Sequence, residues 1–190
     1  MPPLSFATTT GANRFDPLPA PWSTTKVLYA GTDLEVALAE TVLRWRQVMD
    51  PLIVDTAVEL APRAVVHFAP SRPLLLIDAT GFGLAPLQDV INTMAAGSVP
   101  SSVDEIFNCS DAEYGTTQAW GAWLRRQEPQ ADGIQWTSRQ NNRGQCVVLF
   151  EDRCGGALQV SGPSTPLMHP SSEEAATVDR LLSQLGWSRT

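Results

Sequence analysis

The chain has 190 residues, of which 43% are hydrophobic and 17% charged, and its formal net charge is −7. This length suits one domain around one core, and the composition excludes a wholly disordered chain. The negative charge argues against a broad electrostatic grip on nucleic acid or anionic lipid, while leaving room for a local basic pocket.

Residues 1–12 are rich in Pro, Thr and Gly and read as irregular. Asn13-Arg14-Phe15-Asp16-Pro17 leads into a proline-containing loop, and Lys26-Val27-Leu28-Tyr29-Ala30 reads as a short strand. A helix is expected next. Thr32 and Glu35 have capping-box spacing, which satisfies orphan N–H groups at a helix start. Leu34, Ala37, Leu38, Thr41, Val42 and Trp45 then recur at three- and four-residue steps, as one buried stripe requires, until Pro51.

Ala64–Phe68 and Leu74–Asp78 read as strands separated by Pro70-Ser71-Arg72-Pro73. Residues 81–108 are ambiguous between short helices and loops. Tyr114–Arg126 is expected to be helical, with Thr117, Trp120, Trp123 and Leu124 on one side. Gly133–Ser138 alternates like a strand, Asn141–Gly144 reads as a loop, and Cys146–Phe150 as a buried strand. Three prolines between Ser161 and Pro170 predict an extended connection. A last helix is expected near 171–186, with Ser171 and Glu174 as a capping box, an apolar stripe of Ala175, Val178, Leu181, Leu182 and Leu185, and Gly186 at its end. No internal repeat is present. Strands interrupted by helices in mixed order predict an α+β fold.

No apolar run approaches the roughly 20 residues that span a bilayer. The opening Met1-Pro2-Pro3-Leu4-Ser5 lacks the basic-then-apolar pattern of a signal peptide. Three cysteines, Cys109, Cys146 and Cys154, are odd in number and irregularly spaced, as suits reduced thiols in a cytoplasm. With His67 and His169 they form no zinc-ligand pattern, and no metal is expected. His67 sits in an apolar run and reads as structural.

Walker, dinucleotide-binding and nucleophile-elbow motifs are all missing. What remains is a scattered polar set: Arg14 in the opening loop, Tyr29 on the first strand, Glu40 on the first helix and Ser138 at the end of a later strand. Each alone has an ordinary structural explanation.

Around these residues the sequence resembles the RES domain family. The likeness runs through Asn13–Pro17, Val27–Ala30, Ala37–Thr41, Tyr114–Trp120, Asp132–Arg139 and Cys146–Phe150 in preserved order, covering residues 11–152. Residues 153–190 lie outside it and read as an extension whose helix packs on the same domain. The resemblance implies a strand-rich core like that of ADP-ribosyltransferases, with NAD+ as substrate. It also implies a toxin of a bacterial toxin–antitoxin pair, held by a helix-turn-helix antitoxin of the Xre type. Arg14, Tyr29, Glu40 and Ser138 are the matched functional positions.

The chemistry asks for such residues. Cleaving the nicotinamide–ribose bond leaves positive charge on the ribose, which a carboxylate such as Glu40 stabilises. Arg14 offers paired donors for phosphate oxygens. Tyr29 offers a flat ring and a hydroxyl, and Ser138 a hydroxyl for substrate or for orienting Glu40. Phosphate, water or a protein side chain could accept the ADP-ribose. The readings are therefore an NAD+-degrading toxin, an ADP-ribosyltransferase acting on a protein, or an inactive nucleotide- or protein-binding module. The oligomeric state stays open.

Overall fold

The computed structural model describes residues 4, 6–8, 13–16, 25–44, 52–80, 83–88 and 114–190. In chain order their strands are β1 (Ala7–Thr8), β2 (Lys26–Gly31), β3 (Ile53–Val54), β4 (Ala64–Val65), β5 (Phe68–Pro70), β6 (Leu76–Asp78), β7 (Gly133–Thr137), β8 (Gln145–Phe150), β9 (Leu158–Val160), β10 (Thr165–Pro166) and β11 (Ser188–Arg189). The three helices that matter below are α1 (Leu34–Ala39), α2 (Tyr114–Gln127) and α3 (Glu173–Gln184).

A five-stranded sheet in the order β1-β2-β8-β7-β6 organises the molecule. β7 and β6 pair in parallel, and the other neighbours pair antiparallel. Side chains alternate across the sheet. Val27, Ile134, Trp136, Cys146, Val148 and Phe150 fall on one face, where Trp120, Trp123 and Leu124 of α2 pack with them into a first core. All four residues expected on the buried side of this helix are buried, and so are Gln118, Gly121, Ala122 and Arg125 beside them. The α+β expectation holds.

A second core lies beyond α1. Leu38, Val42 and Leu43 meet Val178, Leu181 and Leu182 of α3, with Val54, Leu60, Leu167 and Trp187 closing it. The expected last helix is therefore present and packs on the chain's own domain. Its N-cap is Ser172 rather than Ser171, with the Ser172 side chain accepting from the Ala175 amide. Gly186 ends it at φ 70°, a left-handed conformation that glycine adopts without steric cost.

Several expectations change. The first helix is capped by Asp33, whose carboxylate accepts from the Val36 amide at 2.8 Å, and not by Thr32. It stops at Ala39, and the chain runs through turns to Arg44. Val36, which the expected stripe left out, is fully buried in the first core. A short helix serving two cores cannot show one stripe. The strand expected over Ala64–Phe68 is two strands, because β4 pairs with β10 and β5 with β9. His67 lies between them, exposed, 3.7 Å from Glu174. The extended connection over 161–170 contributes β10, and β9 precedes it. Of 81–108, residues 83–88 are helical. Trp45, Pro51, Cys109 and the rest of that stretch lie outside the described residues.

Candidate active site

β2, β7 and β8 bring a common end of the sheet together, because Gly31 and Trp136 both pair with Cys146. From this end β2 leads into α1, and β7 turns into β8 through residues 138–144. The turn lies directly on α1. A Cβ at Gly144 would stand 2.0 Å from Val36 Cγ2, so any other residue would push the loop away. The loop closes on itself through the Ser138 amide to the Gly144 carbonyl at 3.0 Å.

This contact sets Glu40. It is the C-cap residue of α1, and its side chain reaches across to the turn. Its Oε1 accepts from the Ser138 hydroxyl at 2.7 Å, from the Arg139 amide at 3.0 Å and from the Gln140 amide at 3.4 Å. Ser138 is completely buried, and its hydroxyl oxygen accepts in turn from the Asn141 amide at 2.9 Å. Donors converging on one carboxylate oxygen fix the direction of the side chain.

Arg14 reaches the same place from the opening loop. That loop is anchored by Asp16, a buried carboxylate. Asp16 Oδ2 accepts from the Asn13 amide at 3.0 Å, and Oδ1 from the Tyr29 hydroxyl at 3.0 Å. The Tyr29 oxygen accepts from the Phe15 amide at 3.0 Å. Gln118 of α2 donates to the Asn13 carbonyl at 3.0 Å. The residues on either side of Arg14 are thus held in place. Burial, and then the Asp16 charge, push the Tyr29 hydroxyl well above the ordinary phenol range, so it stays neutral.

A cavity of about 280 Å³ opens among these elements. Arg14, Tyr29 and Glu40 line it, together with Asn13, Arg44, Trp136 and Cys146. Three of the four sequence-derived candidates therefore meet in one cavity, and the fourth, Ser138, stands behind Glu40. The sequence suggests a Tyr29 hydroxyl bonded to a polar group, and the Asp16 carboxylate is that group. The hydroxyl is engaged by Asp16 and Phe15, so the ring remains to meet a ligand. Sequence reasoning missed Asp16, Arg44 and Cys146. Asp16 carried a signal, an acid in the turn of Asn13–Asp16. Burial, and then the nearby Glu40 charge, push the Cys146 thiol up to about 12, which removes it as a nucleophile near neutrality.

A broader hollow of about 710 Å³ lies beside Leu28, Ala30 and Val147 and reaches to β4 and β5. It is mainly apolar and holds neither Arg14 nor Glu40. The smaller cavity has Arg14, Glu40 and Arg44 on its wall. Among the described residues, no three His, Cys, Asp or Glu side chains gather as metal ligands, and no helix is long and apolar enough to cross a membrane.

No curated protein and no solved structure matches this chain. The RES domain model matches residues 1–169, beyond both ends of the 11–152 stretch in which the resemblance is legible. With the match spanning most of the 190 residues, the chain belongs to the RES domain family.

Proposed function

We propose that this RES domain protein degrades NAD+ by breaking the bond between nicotinamide and ribose. The carrying observation is the Glu40 carboxylate, fixed by three donors on the wall of a cavity that also receives Arg14 and the Tyr29 ring. About 280 Å³ is just below the roughly 300–1,000 Å³ typical of ligand pockets. It suits the nicotinamide riboside end of the dinucleotide, with the rest extending outward.

In this reading Arg14 binds phosphate oxygens and sets the register of the substrate. The Tyr29 and Trp136 rings border the nicotinamide or ribose. As the C1′–N bond lengthens, its electron pair goes to the nicotinamide nitrogen, and nicotinamide leaves neutral. Positive charge develops on the ribose, and Glu40 stabilises it. Ser138 acts through Glu40, holding the carboxylate in place. The acceptor, phosphate or water, then bonds to C1′ and releases a proton. NAD+ loss of this kind is what a toxin restrained by a helix-turn-helix antitoxin would cause, and this role belongs to the same proposal.

The test is incubation of the purified protein with NAD+, with and without phosphate, followed by product masses. Free nicotinamide with ADP-ribose or its 1″-phosphate is expected. ADP-ribose attached to a protein would instead make the chain a transferase. Bound NAD+ with nicotinamide still attached would make it a binding module.

A further inference from the structure

The cavity that holds Glu40 is too small for a whole dinucleotide, and a larger space adjoins it. Tyr29, Ala30, Gly31, Ala37 and Thr41 line both this cavity and the hollow of about 710 Å³. Tyr29, Ala30 and Gly31 are consecutive on β2, where successive positions turn to opposite faces of the sheet. Both spaces touch all three, so they meet at an edge of the strand rather than on one face. β8 pairs along one edge of β2, from Val27 to Gly31, and β1 pairs with Lys26 and Val27 on the other. The border follows that second edge beyond β1. Across it, Ala37 and Thr41 stand one helical turn apart, the Thr41 hydroxyl donating to the Ala37 carbonyl at 2.6 Å. Ala30, Gly31, Ala37 and Thr41 have no large side chain to stand between the two spaces.

The hollow has a different chemical character from the cavity. Leu28, Ala30 and Val147 of the sheet line it, and so do Val65, Val66 and Phe68 of β4, β5 and the link between them. Thr32, Asp33, Arg63 and His67 add a few polar groups. Such walls suit a flat heteroaromatic base, whose faces are apolar and whose edge carries hydrogen-bonding nitrogens. Glu40 belongs to the smaller cavity, so the ribose that reacts lies there, and the second nucleoside of the substrate needs a place of its own. We infer that the hollow binds the adenosine end of NAD+, with the pyrophosphate crossing the edge of β2 at Ala30 and Gly31. This rests on the NAD+-cleaving reading and gives its substrate site a second half.

Nicotinamide mononucleotide has the same scissile bond and one phosphate but no adenosine, so it separates the two ends. The parent should cleave NAD+ with a kcat/KM about tenfold or more above that for the mononucleotide. Val66 is 39% exposed on the wall of the hollow, so Val66→Trp fills space there at little cost to the fold. It should raise KM for NAD+ and lower the preference for NAD+ over the mononucleotide by about tenfold. The inference is overturned if the parent has no such preference, or if Val66→Trp keeps it in full. Equal loss on both substrates, as a general structural defect would cause, overturns it too. If Val66→Trp does not fold, Leu28→Phe, on the sheet side of the hollow, replaces it. Should the parent release no nicotinamide, the cleavage reading falls, and calorimetry with adenosine monophosphate decides separately for the hollow. Parental binding that weakens about tenfold in the variant, and that ribose 5-phosphate does not reproduce, upholds the site. Equal binding by the two proteins, equal binding of ribose 5-phosphate, or no binding by the parent, ends it.

Discussion

The two sides of α1 are built on different principles. Toward the cavity, Glu40, Ser138 and the Asp16–Tyr29 pair are held by hydrogen bonds, most of them to backbone amides of two turns. Toward α3, Leu38, Val42 and Leu43 are held by apolar packing against Val178, Leu181 and Leu182. The hydrogen bonds are directional and fix where charges point. The packing is not directional and supplies burial energy. Substitutions on the first side should therefore change rate and affinity more than stability, and substitutions on the second side the reverse.

Glu40→Gln is the strongest test. The amide keeps the size of the side chain and an oxygen acceptor for Ser138, but it removes the charge. NAD+ cleavage should fall about 10²–10³-fold with little change in Tm. Parental turnover in this variant would refute the electrostatic role. The opposite side is broken by Leu182→Ala, a residue 3% exposed within the second core. The lost packing should cost about 2–5 kcal/mol in denaturant unfolding. The fraction still folded should retain the parental kcat, and a large kcat loss would show that the two sides are not separable.

Much of the sheet and of α2 was legible because Gly133–Ser138 follows the two-residue period, Cys146–Phe150 is an unbroken apolar run and the α2 residues follow a helical period. Arg14, Tyr29, Glu40 and Ser138 could be singled out only through the ordered resemblance, since no local spacing joins residues so far apart. Their meeting depends on β2 and β7 both pairing with β8. Arg44 carried no signal, because its position follows from the early end of α1 and from the Gln140 contact. The split of Ala64–Phe68 was hidden for a similar reason. Its two halves are defined by partners in β9 and β10, about a hundred residues later.

Tyr29→Phe probes the hydrogen bonds of the cavity side alone. It keeps the ring and strands the Asp16 carboxylate and the Phe15 amide without their shared partner. A loss of about 1–3 kcal/mol is expected. KM for NAD+ should also rise, because the loop that presents Arg14 loosens. The hydroxyl pKa is raised in the folded chain, so the protein gains stability from it fully below the unfolded value of about 10 and loses it as the pH climbs further. Tyr29→Phe should accordingly lose less stability than the parent between neutral and strongly alkaline pH. Parallel alkaline unfolding curves would count against a Tyr29 hydroxyl held neutral by its surroundings.

The smallest effect expected is that of Ser172→Ala. The Ser172 hydroxyl caps α3 by accepting from the Ala175 amide at 3.0 Å, and this contact is absent from the cavity lining. Loss of an N-cap costs about 1 kcal/mol, enough to move Tm by a few degrees in a domain of this size. Because α3 meets α1 through Leu38 rather than through Glu40, a modest loosening of its first turn should not reach the carboxylate. kcat and KM should therefore stay parental while Tm falls. A change in kcat from so small and remote a substitution would mean that α1 transmits strain from its packed side to its polar one, and that the second core helps aim Glu40 as well as stabilise the fold.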